Sequence, residues 1–313
     1  NNYVSLMYCD QYLGRYDQAK AAAEQSRAKK LSSPWYPLIL YVVDFLQNDP
    51  AAMAKQATET QGMPGVEDQM FFVESETAAD HGQFGQAREL TRRAADSARR
   101  AQEKETAAEY QGHNSVREGL VGLMDFAKED AQSALATIKG KHGEGFSAIA
   151  FALAGDVANA NRAIDDLTKR FPQNTVVQTR YLPMARSALA LNIGNAQAAI
   201  EALSPAAPYE LGHTNEDFTF ALYPIYFRGQ AYLAARNWAG AAAEFQKILD
   251  HPGIVGNEPI GALAHLGIAR AHSLSGNTAK AKSAYDDFFA LWKDADPNVP
   301  ILKEARAEYA KLP

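Results

Sequence analysis

Apolar residues recur at three- and four-residue spacing along the whole chain, Ala is plentiful, and β-branched alternation is nearly absent. That period belongs to amphipathic helices and predicts helix throughout. Breaks fall at short polar or glycine-rich clusters, among them Gln47-Asn48-Asp49-Pro50, Gly62-Met63-Pro64-Gly65, Phe171-Pro172-Gln173-Asn174, Ser204-Pro205 and His251-Pro252-Gly253. The segments opened by Gly14, Gly82 and Gly155 share one grammar: a small turn residue, a bulky residue two on (Tyr16, Phe84, Val157) and Ala five on (Ala19, Ala87, Ala160). Asn48, Gly194, Arg236 and Gly276 head related segments. Self-similarity on this scale predicts stacked helix pairs, each unable to bury its apolar face alone.

The turn residues set the period. Gly14 to Asn48 and Asn48 to Gly82 are both 34 residues; Gly155 to Gly194 is 39, Gly194 to Arg236 is 42 and Arg236 to Gly276 is 40. The extra residues fall in loops between pairs, such as Ser204 to Asn215 and His251 to Asn257. Between Gly82 and Gly155 the register blurs, and a long helix over 103–128 followed by a short one over 131–139 is expected as a degenerate pair. Small and aromatic residues alternate where paired helices should cross: Gly229, Tyr232, Ala241 and Phe245, then Ala269, His272, Ala281 and Tyr285, and earlier Ala148, Phe151, Ala160 and Ile164. Small residues let helix axes approach, and the aromatic fills the gap between neighbouring pairs.

On these slots and this period the chain resembles tetratricopeptide-repeat proteins over nearly its whole length. The resemblance implies an all-α, right-handed α-solenoid, a superhelix of about eight helix-turn-helix pairs. It divides into a regular region over 1–100, the degenerate pair over 101–142, repeats with longer loops over 143–297 and a polar capping helix over 298–313. A narrower resemblance covers residues from about Gly155 to Leu312. It is carried by Phe171 to Gln178, Ala206 to Gly212, Lys247 to Asn257 and Ala290 to Pro297, which are similar to the C-terminal repeat region of acidobacterial multidomain proteins bearing an N-terminal serine/threonine kinase or a winged-helix domain. It implies a regulatory or docking module. The kinase motifs themselves are missing from these residues, so no enzyme is expected in this segment, and a kinase domain would lie upstream.

Composition narrows the partners. A formal charge of -6 argues against nucleic-acid binding, which needs a basic surface. The most apolar stretch, Trp35 to Leu46, is short and contains Pro37 and Asp44, so no membrane insertion is expected. A single cysteine, Cys9, excludes an intrachain disulfide, and a buried inert thiol is expected. The opening Asn1-Asn2-Tyr3-Val4 enters a helix without a capping lead-in, which suggests a segment of a longer multidomain protein. The compartment stays open: cytoplasmic in the simpler reading, periplasmic if a membrane helix precedes the segment.

Candidate chemistry is sparse. His265 and His272 share a helix face but lack a third ligand and are expected to pack; no metal and no cofactor are expected. Gly140 to Gly145 has the composition of a phosphate loop without its Gly-Lys-Ser/Thr ending and reads as a connector. Arg88, Arg92, Arg93, Arg99, Arg100 and Lys104 are interleaved with Glu89, Asp96, Glu103 and Glu105, as on a solvated face. Asp165-Asp166 and Asp286-Asp287 point apart on a helix and do not converge.

In tetratricopeptide arrays the first helix of each pair lines the concave groove. The matching positions here are Trp35 and Leu38, Gln69 and Phe72, Tyr181 and Met184, Tyr223 and Tyr226, Leu263 and Leu266, joined by Gln230 and Arg270. The family's Lys/Asn clamp for a peptide carboxylate is not present at these places. An aromatic and apolar groove suits an extended peptide or a partner helix, making the segment a protein-binding module; these side chains could equally fill gaps between adjacent first helices. Two alternatives remain: a helical-array hydrolase with carboxylates from separate helices, and a spacer or self-association module.

Overall fold

The computed structural model describes residues 2–31, 33–212 and 220–313; Asn215, the far end of one predicted loop, lies outside them. The described residues form eight antiparallel helix pairs and a closing helix. The pairs are α1 (Asn2–Tyr12) with α2 (Tyr16–Ala28), α3 (Tyr36–Leu46) with α4 (Pro50–Glu59), α5 (Glu67–Asp80) with α6 (Phe84–Arg100), and α7 (Lys104–Leu120) with α8 (Met124–Thr137). They continue with α9 (Lys141–Leu153) and α10 (Val157–Arg170), α11 (Leu182–Asn192, entered through a π-helical turn at Val177–Tyr181) and α12 (Ala196–Ala202), and α13 (Tyr223–Ala234) and α14 (Trp238–Leu249). A one-turn helix, α15 (Pro252–Val255), precedes the last pair, α16 (Ile260–Leu274) and α17 (Thr278–Leu291); α18 (Pro300–Tyr309) closes the chain. The all-α solenoid is the architecture expected.

One device makes all eight turns. The second residue beyond each first helix adopts positive φ: Gly14, Asn48, Gly82, Gly122, Gly155, Gly194, Arg236 and Gly276. The next backbone N–H reaches back to the carbonyl five residues earlier, as in Arg15 to Asp10, Asp49 to Asp44 and Asn277 to His272. This is the left-handed C-terminal cap, which satisfies carbonyls a helix end leaves open. In five turns the same next residue then caps the second helix: Asp49, Asp156, Asn195, Asn237 and Asn277 accept a bond from the backbone N–H three positions on.

Two expectations need correction. There is no helix over 103–128. Gly122, at φ +88, ends α7 and starts α8, and it obeys the turn grammar with Met124 two on and Ala127 five on. The expected degenerate pair is therefore a regular one. Gly140 to Gly145 is also not a connector beyond its first residue, because α9 starts at Lys141. Gly143 and Gly145 are buried contact points: a Cβ on Gly143 would sit 3.3 Å from that of Ala108, and one on Gly145 would overlap the Tyr181 ring. The crossing slots behave as the resemblance implies, since the Phe245 ring lies where a Cβ on Gly229 or Gly267 would go.

The array does not stay open. Its C-terminal third folds back onto the first four pairs. The Gln11 side chain donates to the Gly253 carbonyl at 3.1 Å, and a Cβ on Gly253 would overlap the Gln11 carbonyl oxygen. Asn257 donates to the Val73 carbonyl at 2.7 Å and to the Thr77 hydroxyl at 2.9 Å. The indole N–H of buried Trp292 donates to the Asp80 carbonyl at 2.8 Å, and burying such a ring contributes roughly 2–3 kcal/mol. Asp296 accepts from the Gly85 N–H at 2.7 Å, capping the start of α6, and Ile301 donates to the Val121 carbonyl at 3.2 Å. The turns at Gly82 and Gly122 carry no side chain for a second reason too, because Ala295 and Pro300 occupy that space. Closure makes the molecule as compact as an ordinary globular protein. Its accessible surface is 13474 Å², against about 12,800 Å² expected for a chain of 34.1 kDa.

Because the neighbour of Gly253 is rigid backbone, Gly253→Ala is expected to lower stability by about 1–3 kcal/mol and to speed hydrogen exchange in α1. Unchanged thermal unfolding and exchange would show that closure at this point carries no strain.

Candidate functional site

The first helices of the first four pairs present one register to a shared cavity of about 520 Å³. Val4, Tyr8 and Gln11 of α1, Trp35, Leu38 and Val42 of α3, Gln69, Phe72 and Glu76 of α5, and Thr106, Glu109 and His113 of α7 line it. Spacing of three to four residues puts each set on one face of its helix. The fifth wall is the strap that follows α14, from Ile254 to Glu258. A smaller cavity of about 350 Å³ near Tyr41 and His81 lies among α3 to α6 and gathers no comparable set of buried polar groups.

The N-terminal half of the predicted groove therefore lines this cavity: Trp35, Leu38, Gln69 and Phe72, with Trp35 37% exposed. The C-terminal half is covered. Tyr181, Met184, Tyr223, Tyr226, Leu263 and Leu266 are each at most 2% exposed and belong to the main core. Gln230 donates to the Tyr226 hydroxyl at 2.9 Å, and Arg270 is held by Glu308 and Glu304 of α18. Closure covers that half of the concave face with the protein's own chain, leaving a cavity of about 280 Å³ in which Tyr226, Gln230 and Arg270 meet Ile301 and Glu304 of α18.

At the cavity floor stand three residues that the sequence reading did not single out. Glu76, His113 and Glu258 are 3%, 1% and 4% exposed. His113 Nε2 lies 3.4 Å from Glu258 Oε1 and 3.6 Å from Glu76 Oε1. Neither ring nitrogen of His113 has a hydrogen-bond partner, and neither of those two carboxylate oxygens has one. The imidazole is boxed by Phe72, Phe146, Phe220 and Tyr223, the nearest ring centre 4.5 Å away. The Tyr223 hydroxyl donates to Glu258 Oε2 at 2.8 Å. Arg117, fully buried nearby, donates to Ser75, Thr91 and the Asn114 side-chain oxygen.

Burial pushes both carboxyl groups above their ordinary range, Glu258 the further because the Glu76 charge adds to its rise, while the Arg117 charge and the neighbouring Glu258 temper the rise at Glu76. Burial, aided by the Arg117 charge, holds the His113 imidazole well below its ordinary value, so it is neutral at pH 7. The signal for Glu76 was present, because it continues the groove register of Gln69 and Phe72. His113 was hidden by the misplaced helix over 103–128, and Glu258 by its place in an inter-pair loop.

The other candidates spread out. His265 and His272 are half-buried on α16 and do not converge. Cys9 is exposed, not buried as expected, because α1 turns Met7, Asp10 and Gln11 inward and leaves Cys9 on the far side. On α6, Arg92 pairs with Glu89 and Asp96 at the surface, while Arg88 reaches the buried Glu118 at 2.7 Å. Asp166 pairs with Arg170, which also holds Glu144. No helix is long and apolar enough to cross a membrane among the described residues.

The chain matches no known protein family and no curated protein. Among solved structures it is similar to the tetratricopeptide-repeat domain of P58(IPK). The identity is 10%, with 99% of this chain and 98% of that one covered, and the TM-score is 0.30. The likeness is too loose to superpose a site, and the fold assignment rests on the helix pairs themselves.

Asp80, four residues beyond Glu76, makes the electrostatics testable. Burial pushes its carboxyl from the ordinary 3.8 up to about 8. The folded chain keeps this proton as pH rises from about 4 to 8 while the unfolded chain releases it, so stability falls across that window. Asp80→Asn cannot ionise. Its stability relative to the parent chain is expected to rise by more than about 1.4 kcal/mol between pH 4 and pH 8, the worth of one pH unit. Parallel pH–stability curves for the two proteins would contradict this.

Proposed function

We propose that this chain is a non-catalytic recognition module that takes a short extended peptide in the cavity between α1, α3, α5, α7 and the strap. The observation carrying this reading is the shared apolar register of four successive first helices, which converges on one cavity walled on its fifth side by the strap. An extended segment of a few residues, with apolar side chains at alternate positions, suits a cavity bounded by four helices and a strap; helix-in-groove recognition uses anchors spread along a trough of two turns or more. Glu76, Glu109 and Glu258 line the space with no Lys or Arg among the lining residues. A ligand with apolar side chains and uncharged flanks suits this lining, which offers a carboxylate-terminated peptide no cation. The likeness of four segments to repeat regions of kinase-bearing proteins supports a docking role within a signalling protein.

Two buried carboxylates also recommend the hydrolase reading. The imidazole of His113 argues against it, because Nε2 stands 3.6 Å from Glu76 Oε1 and 3.4 Å from Glu258 Oε1 and occupies the approach that a scissile bond would need, while Tyr223 holds the other oxygen of Glu258.

The test is selection of a random displayed peptide library on the immobilised chain, followed by titration of the recovered peptides. Bulky apolar residues without acidic neighbours are expected. Trp35→Ala, a change at an exposed position, should weaken binding about tenfold, and Leu274→Ala on the last pair should leave it unchanged. Recovered peptides indifferent to Trp35→Ala, or no recovery together with a dimer in light scattering, would replace docking with self-association.

A further inference from the structure

We propose that Glu76, His113 and Glu258 form a three-ligand site for a divalent transition-metal ion of the zinc class, its remaining coordination position turned toward the cavity. The three side chains come from α5, α7 and the strap, and one donor atom of each lies within 4.8 Å of the other two. Tetrahedral zinc with bonds of about 2.0–2.1 Å separates its ligand atoms by roughly 3.4 Å. His113 Nε2 stands 3.4 Å from Glu258 Oε1 and 3.6 Å from Glu76 Oε1. Those distances are long for N–H···O hydrogen bonds, and none of the three atoms has a hydrogen-bond partner although all are buried. Each such orphan costs roughly 1–3 kcal/mol. One cation satisfies all three.

The surroundings hold these donors in place. Tyr223 anchors the second oxygen of Glu258, and Phe72, Phe146 and Phe220 fix the imidazole plane. Outer partners of this kind orient metal ligands. The donor set of one imidazole nitrogen and two carboxylate oxygens suits zinc and its neighbours, whereas calcium and magnesium demand six or more oxygens. Arg117 is the opposing charge; it faces the cluster from α7 but its guanidinium is engaged by Ser75, Thr91 and Asn114.

The site depends on the cluster alone and is separable from peptide docking. The full chain, stripped with a chelator and dialysed, is titrated calorimetrically with zinc chloride at pH 7.5 in two buffers of different ionisation enthalpy. One ion per chain is expected, with a micromolar or tighter Kd and proton release. Glu258→Gln and His113→Gln should each weaken binding at least tenfold, and Leu274→Ala on the last pair should leave it intact. Cobalt(II) on the unaltered chain should show the visible absorption of a four-coordinate ion, a readout that needs no variant to fold. Absence of a single-ion site in the unaltered chain, or a site that survives both glutamine variants, would overturn the proposal.

Discussion

The contact on which the rest of this structure depends is the seating of the strap, residues 252–258, across α1, α3 and α5. Gly253 lies directly on the Gln11 carbonyl, and Gly256 approaches Val42 so closely that a Cβ would stand 3.2 Å from it. Asn257 answers a backbone carbonyl and a hydroxyl of α5. These contacts turn a one-dimensional stack, in which each pair should meet only its neighbours, into a closed body, with the apolar clusters of α1 to α5 set beside the main core. Trp292, Asp296 and Ile301 continue the closure along the turns of the third and fourth pairs.

Closure divides the concave face in two. In the C-terminal half, large side chains from successive first helices meet the protein's own chain and disappear from solvent. In the N-terminal half the strap roofs the same kind of surface without filling it, and the space between becomes the cavity. The burial that makes Glu76, His113 and Glu258 unusual follows from this geometry. Glu258 arrives on the strap, Glu76 and His113 on two first helices, and none of them would be desolvated in an open array. The electrostatics of the floor are a consequence of the topology.

Much of this was legible in the residues. Seven of the eight turns are legible in the residues, five through a glycine and two, at Asn48 and Arg236, through their place in the repeat, and all seven adopt positive φ. Gly122 follows the same grammar, with Met124 and Ala127 at the matching places, but it stands 40 residues after Gly82 and breaks the 34-residue beat. The groove register was readable from Trp35, Leu38, Gln69 and Phe72. The fate of Tyr181, Tyr223 and Leu263 was not, because periodicity places a residue on a face without saying what will cover that face. The longer loop around His251 to Asn257 could be counted as extra residues, but a contact 242 positions away in sequence, Gln11 to Gly253, leaves no mark on local pattern.

The central claim is that the array is closed, and small-angle X-ray scattering from the monomer tests it most directly. A closed body of this length is expected to have a radius of gyration of about 20 Å, with a distance distribution falling smoothly from one maximum. Eight pairs stacked openly at roughly 10 Å each would stretch to about 80 Å or more. A radius of gyration above about 25 Å, with a long tail in the distance distribution, would contradict closure and with it the cavity and its floor.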